Sequence, residues 1–250
     1  MAPFIAPETG PEFGPGIETR EWQTPAGNVA RITYRRDTSD WNTVSACLRN
    51  PYGGGDEYHI PSGLSGWGLD VGAHIGSVTI GLLLDNPDMR VVAIEAVPPN
   101  VELIRQNLEQ NGLTGRCVLL AGAAWKGRGS IDVEYGYTGS EFVESHRFIG
   151  SITPWIDAPG GKDHASVPRY GLKDALAYTK GEGFVWAKSD CEGCEFPFFR
   201  GPLLAKVGTI EGEWHERDGT PEQFAEQLGK THEVTYAQGI GSGPFRAVRR

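Results

Sequence analysis

Apolar residues fall into short runs along this chain, and the runs alternate between two periods. Trp67 to Val71 reads as a buried strand, and Ser77 to Leu84 continues as an apolar run suited to a buried helix. Val91 to Ile94 is a second strand-like run. Pro98, Pro99 and Asn100 open a helix in which Val101, Ile104 and Leu108 keep the helical period, and Asn111-Gly112 ends it. Arg116 to Ala121, Ser130 to Tyr135, Phe184 to Lys188 and Val207 to Glu213 read as further strands. Leu172 to Thr179 and Pro221 to Leu228 read as helices, the second with Thr220 as N-cap and proline in its first turn. Val234 to Ala237 and Phe245 to Val248 pair as a closing hairpin. Ahead of this series, Val29 to Arg35 alternates and pairs with Glu18 to Gln23, and Asp40 caps a short helix towards Arg49.

Strands alternating with helices, followed by a late hairpin, predict an α/β fold with a mostly parallel sheet and one antiparallel edge. Residues 1–60 are expected to be an N-terminal arm and extension packed on the core, and 61–250 the main domain. Residues 136–168 show no clear period but carry histidines and aromatics, which fits either an acceptor-binding segment or a surface insertion.

Composition narrows the possible partners. With 250 residues, a formal net charge of −9 and a pI near 5.2, the chain is not expected to bind nucleic acid. It has no apolar run long enough for a membrane span, and no basic-then-apolar leader at Met1, so the cytoplasm is the expected location. Cys191 and Cys194 lack a second cysteine pair for zinc and the flanks of a redox dithiol. They are expected to be reduced and to pack as small apolar residues.

Candidate chemistry starts at Leu69-Asp70-Val71-Gly72-Ala73-His74-Ile75-Gly76, where a strand meets a helix N-terminus. Glycines there allow a sharp turn, and the free N–H groups of the helix start face a ligand. Glu95 ends the next strand, where an acid can accept both ribose hydroxyl protons. His74 stands where a dinucleotide fold needs its second glycine, and no lysine follows Gly76 as a P-loop requires. A nucleoside without a bound phosphate is the ligand this suits, and S-adenosylmethionine is one. Asp70 is then placed to orient water or the methionine ammonium. Asp190 and Glu213 also fall at strand carboxyl ends, where such sheets bind ligands.

These motifs resemble the FkbM family of S-adenosylmethionine-dependent O-methyltransferases. The loop at 69–76 is similar to the family's leucine-aspartate-valine-glycine-alanine-asparagine-isoleucine-glycine. Lys188-Ser189-Asp190-Cys191-Glu192-Gly193-Cys194-Glu195 is similar to its lysine-isoleucine-aspartate-valine-glutamate-glycine-alanine-glutamate. Glu213-Trp214-His215 resembles its glutamate-x-histidine. The likeness runs from about residue 40 to 215, with His74, Ser189, Cys191 and Cys194 as departures. It implies a Rossmann-like class I methyltransferase sheet of seven strands in the order 3-2-1-4-5-7-6. It further implies that Asp70, Gly72, Ala73, His74 and Gly76 line the methionine end of the cofactor. Glu95, with Ala96 beside it, would hold the ribose; Ala123, Ala124 and Trp125 would flank the adenine, and Asp190 would face both cofactor and acceptor.

Two catalytic arrangements fit these residues. In one, Asp190, Glu213 and His215 hold Mg²⁺ or a similar cation, which binds acceptor hydroxyls. In the other, His146 or His215 is a general base without metal. The family's chemistry implies a hydroxyl acceptor, with a carbohydrate ahead of a polyketide or other natural product. An NAD-dependent oxidoreductase and a non-catalytic nucleoside-binding module are the readings from other classes. Oligomeric state is not legible.

Overall fold

The computed structural model describes residues 16–36, 38–49, 58–135, 163–216, 219–237 and 242–250. At its centre is a seven-stranded sheet built from β3 (Gly66–Val71), β4 (Met89–Glu95), β5 (Cys117–Ala121), β9 (Phe184–Ser189), β10 (Val207–His215), β11 (His232–Tyr236) and β12 (Ser242–Arg249). Its spatial order is β11-β12-β10-β9-β3-β4-β5, and only the β10–β12 and β11–β12 pairings are antiparallel. Numbered within this sheet from the β5 edge, the order is 3-2-1-4-5-7-6, as expected.

Alternation along the strands divides the core in two. Met89, Val91 and Ala93 pack in one apolar cluster while Val92 and Ile94 pack in the other, so the middle of β4 is apolar on both faces and its sequence reads as a continuous run. The first cluster is covered by α2 (Ser77–Asp85) and α3 (Pro98–Gln110). The second is covered by α4 (Leu172–Leu176), α5 (Glu195–Phe198) and α6 (Pro221–Gly229). In α6, Thr220 Oγ1 accepts from the Gln223 N–H and Gln223 Oε1 from the Thr220 N–H, so the expected cap is a full capping box.

The N-terminal hairpin of β1 (Ile17–Gln23) and β2 (Val29–Arg35) adds Trp22, Ala30, Ile32 and Tyr34 to the first cluster. α1 (Asp40–Cys47) follows, and here the expected cap is corrected: Ser39 is the N-cap, and the Asp40 carboxylate is committed to Arg35 and His74 instead.

A second correction concerns residues 163–168. They belong to β8 (Asp163–Tyr170), which joins β6 (Ala123–Ala124) and β7 (Ser130–Tyr135) in a three-stranded sheet. His164, Ser166 and Pro168 face solvent while Ala165 and Val167 turn inward, an alternation carried by side chains too small to stand out. Residues 136–162, and with them His146, lie outside the described residues. No helix among the described residues is long and apolar enough to cross a membrane.

Candidate active site

The carboxyl ends of β3, β4 and β9 surround a cavity of about 360 Å³. Its floor is the turn after β3. Gly72 has φ +76°, and a Cβ there would lie 1.8 Å from the Asp190 carbonyl oxygen, so any side chain would drive the ends of β3 and β9 apart. His74 has φ +52°, a left-handed conformation in which asparagine and histidine are among the residues most often tolerated. The exchange of the family's asparagine for histidine therefore conserves the backbone requirement.

Glu95 fixes this turn from β4. Its Oε2 accepts from the His74 backbone N–H at 2.8 Å, and its Oε1 from the Val97 N–H at 2.9 Å and Asn100 Nδ2 at 3.3 Å. Burial raises its pKa against these donors. Each carboxylate oxygen has two lone-pair sites, so Glu95 can hold the turn and still meet a ligand.

Of the residues expected at a cofactor, Gly72, Ala73, His74, Glu95, Ala96, Ala123, Ala124 and Asp190 line the cavity. Three do not. Asp70 is fully buried beneath the wall, with Oδ2 accepting from Thr79 Oγ1 at 2.6 Å and Oδ1 3.8 Å from Lys188 Nζ, so it braces the turn and faces no ligand ammonium. Gly76, at φ +94°, begins α2 and backs onto Ile80 and Ile104. Trp125 packs against the second apolar cluster, its N–H donating to the Tyr170 carbonyl.

Acidic groups crowd the other end of the cavity. Asp190, Glu192 and Glu213 line it. His215 stands behind them, with Nδ1 3.1 Å from Glu195 Oε1 and Nε2 3.6 Å from Glu192 Oε2 and 3.9 Å from Asp190 Oδ1. Burial opposes the charge on His215, but hydrogen-bonded Glu195, with Glu192 and Asp190, lifts its pKa to about 10. These acids favour the protonated imidazole as long as no cation competes for Nε2. Burial and the neighbouring Asp190 push the Glu192 carboxyl up to about 8. Burial acts the same way on Asp190, but Lys188 and His215 outweigh it and hold Asp190 ionised.

One ligand atom from each of Asp190, Glu213 and His215 can be chosen so that all lie within 4.8 Å of one another. Glu213 and His215 meet there because they are two apart on β10 and share a face. Glu211 continues that face but is already paired with Arg246 at 2.6 Å.

Three participants escape a sequence reading. Tyr58 donates its hydroxyl to Asp190 Oδ2 at 2.6 Å, and it comes from a Gly/Pro-rich stretch with no periodic signal. Lys188 donates to the Gly72 carbonyl at 2.5 Å and lies 3.9 Å from Asp190 Oδ2; its place two residues before Asp190 was the available signal. Glu195 accepts from the Cys191 N–H at 3.1 Å and so caps the turn after β9.

Cys191 and Cys194 require a further correction. They form a disulfide, with Cα atoms 5.4 Å apart, rather than a pair of free thiols. The turn between them, with Glu192 at φ +57° and Gly193 at φ +100°, brings both side chains to one side.

Strand order, glycine turn and the acid ending the second sheet strand are the arrangement expected above for a class I methyltransferase sheet. The chain belongs to the FkbM methyltransferase family: the model of the Methyltransferase FkbM domain matches residues 70–236. It is accordingly an S-adenosylmethionine-dependent methyltransferase, which displaces the oxidoreductase alternative. No curated protein matches the chain. Among solved structures it is similar to precorrin-6Y C5,15-methyltransferase from Geobacter metallireducens GS-15, at 15% identity over 74% of this chain and 81% of that one, with TM-score 0.43. It is also similar to the O-methyltransferase from Bacillus cereus in complex with SAH, at 18% identity over 74% of each chain, with TM-score 0.43.

Proposed function

We propose that this enzyme transfers the methyl group of S-adenosylmethionine to a hydroxyl oxygen of a carbohydrate, with a divalent cation held by Asp190, Glu213 and His215. The observation that carries the reading is the cluster of carboxylates around one imidazole, opening on the same cavity as the Gly72 turn and Glu95. Glu95 and the backbone of residues 72–74 would form the wall for the nucleoside, and Ala123 and Ala124, which line the same cavity, would flank its base.

The donor set suits a hard cation: two carboxylates and an imidazole. Glu195 on Nδ1 fixes the ring so that Nε2 turns towards Asp190, which is the carboxylate–histidine arrangement found behind metal ligands. Such a cation would bind acceptor oxygens and ease loss of a hydroxyl proton. Asp190 stays ionised at the mouth of β9, where it can accept a hydrogen bond from the acceptor hydroxyl. Tyr58 and Lys188 keep its carboxylate in place. In the transfer the S–CH₃ bond breaks as the O–CH₃ bond forms, and the enzyme's work is alignment and proton removal.

Ser39, Asn42 and Thr43 add polar groups to the cavity wall, which supports a hydroxyl-rich acceptor over an apolar polyketide face. The test is release of S-adenosylhomocysteine with glycosides, oligosaccharides and polyketide alcohols, after chelation and after Mg²⁺ is restored. Turnover that survives thorough chelation would remove the cation. Turnover only on polyketide alcohols would replace the carbohydrate. Cofactor binding with no product from any acceptor would leave a nucleoside-binding module.

A further inference from the structure

Glu95 is held by more than the turn it supports. His74, whose N–H bonds Glu95 Oε2, brings Nε2 within 3.0 Å of Asp40 Oδ1. Asp40 in turn takes Arg35 on both oxygens, Nε at 2.7 Å and Nη2 at 2.8 Å. The same Arg35 Nη2 donates to Asn100 Oδ1 at 2.5 Å, and Asn100 Nδ2 returns to Glu95 Oε1 at 3.3 Å. Five residues thus close a ring, Glu95, His74, Asp40, Arg35, Asn100 and back to Glu95, with the His74 backbone N–H making the link to Glu95 and side chains making the others. All five are buried, with none more than 7% exposed.

Two of the five, Arg35 and Asp40, precede the region that the family model covers. Burial would favour a neutral Asp40, yet His74 and Arg35 hold its carboxyl well below the usual range. The His74 ring lines the cavity with Nε2 3.0 Å from Asp40 Oδ1, and Nδ1 has no hydrogen-bond partner among the described residues. A buried ring nitrogen in a cavity wall without such a partner is a group awaiting one.

We infer that Arg35 and Asp40 of the N-terminal segment are positioning residues for the cofactor, acting through His74 and Asn100 on Glu95, and that His74 takes its missing hydrogen bond from bound S-adenosylmethionine. This rests on the cofactor placement proposed above. Asp40, 3.0 Å from Nε2, lies within reach to orient the His74 ring. Arg35 ties the same carboxylate to Asn100, so a disturbance at Asp40 reaches Glu95 from two sides.

The test is cofactor affinity by calorimetry together with steady-state kinetics, in a two-by-two set of variants. Asp40→Asn is expected to weaken S-adenosylmethionine binding about tenfold and to raise its KM similarly, with acceptor KM unchanged. His74→Asn, which removes the imidazole that Asp40 orients and the bond proposed for the cofactor, is expected to weaken cofactor binding about tenfold. Adding Asp40→Asn to His74→Asn is then expected to cost less than about threefold, since asparagine has no ring for Asp40 to orient. A purely structural Asp40 would lower thermal stability and would cost the same affinity in both backgrounds; that result overturns the inference. If Asp40→Asn does not fold, Asn100→Ser opens the ring on its other side. It is expected to raise cofactor KM in both backgrounds, and an unchanged KM there also overturns the inference. Failure of the starting protein to bind S-adenosylmethionine at all would count instead against the cofactor placement.

Discussion

The two ends of the cavity are built on opposite principles. At the Glu95 end, one acid meets three donors, with two backbone N–H groups and an amide fixing its oxygens. At the Asp190 end, Asp190, Glu192, Glu195 and Glu213 gather around His215, with Lys188 as a nearby cation. One end is preorganised around Glu95 by its own chain. The other holds surplus negative charge, the field that lifts His215 to about 10 and would attract a divalent cation.

The contrast breaks most severely at Gly72, where the ends meet. Gly72→Ala would set a methyl group against the Asp190 carbonyl and is expected to cost more than 3 kcal/mol and abolish transfer. Normal unfolding temperature and turnover in that variant would show that the turn can yield.

Next in size, Glu95→Gln turns an amide N–H₂ towards backbone donors and is expected to weaken cofactor binding about a hundredfold. Glu213→Gln is expected to spare the cofactor and to raise the Mg²⁺ concentration for half-maximal turnover at least tenfold. Equal losses of both affinities in either variant would mean the two ends are one unit.

A smaller effect separates the ends by pH. The folded pKa of His215 is raised from 6.5 to about 10, so its protonation stabilises the fold fully below 6.5 and is lost as pH rises through 10. The folded pKa of Glu192 is raised from 4.5 to about 8, so its share is lost as pH rises between those values. Without metal, thermal stability is expected to decline from pH 5 to 10. His215→Gln should flatten the upper part of that decline and Glu192→Gln the lower. A curve unchanged by both would deny the charge crowding.

The smallest effect is expected at Glu211, which shares the β10 face but is neutralised by the half-exposed Arg246. Glu211→Gln should change stability by less than about 1 kcal/mol and leave the metal requirement alone. A shifted Mg²⁺ dependence would extend the acidic field beyond the cavity.

Much of the fold was legible because burial on both sheet faces forces an apolar run, and β3, β4 and β9 have such runs. β8 was not, since its inward side chains are alanine and valine between polar neighbours. In the site, Asp190, Glu95 and Glu213 announced themselves as acids ending apolar strands. Asp70 ended one equally well, yet it turns inward beneath Thr79 and Lys188. Nothing in the local pattern distinguishes a carboxylate that faces the ligand from one that supports the turn.

The sequence by itself determined the alternation of strands and helices, because that follows from periodicity; the strand order came only with the resemblance of three motifs to a family. Tertiary structure alone decided which charges meet. The Asp40–His74 contact, Tyr58 on Asp190 and Glu195 on His215 join residues 34, 132 and 20 positions apart. The Cys191–Cys194 disulfide depended on a left-handed turn at Glu192 that no spacing rule specifies. Periodicity is local and survives in one dimension, whereas electrostatic partners are chosen by distance in three.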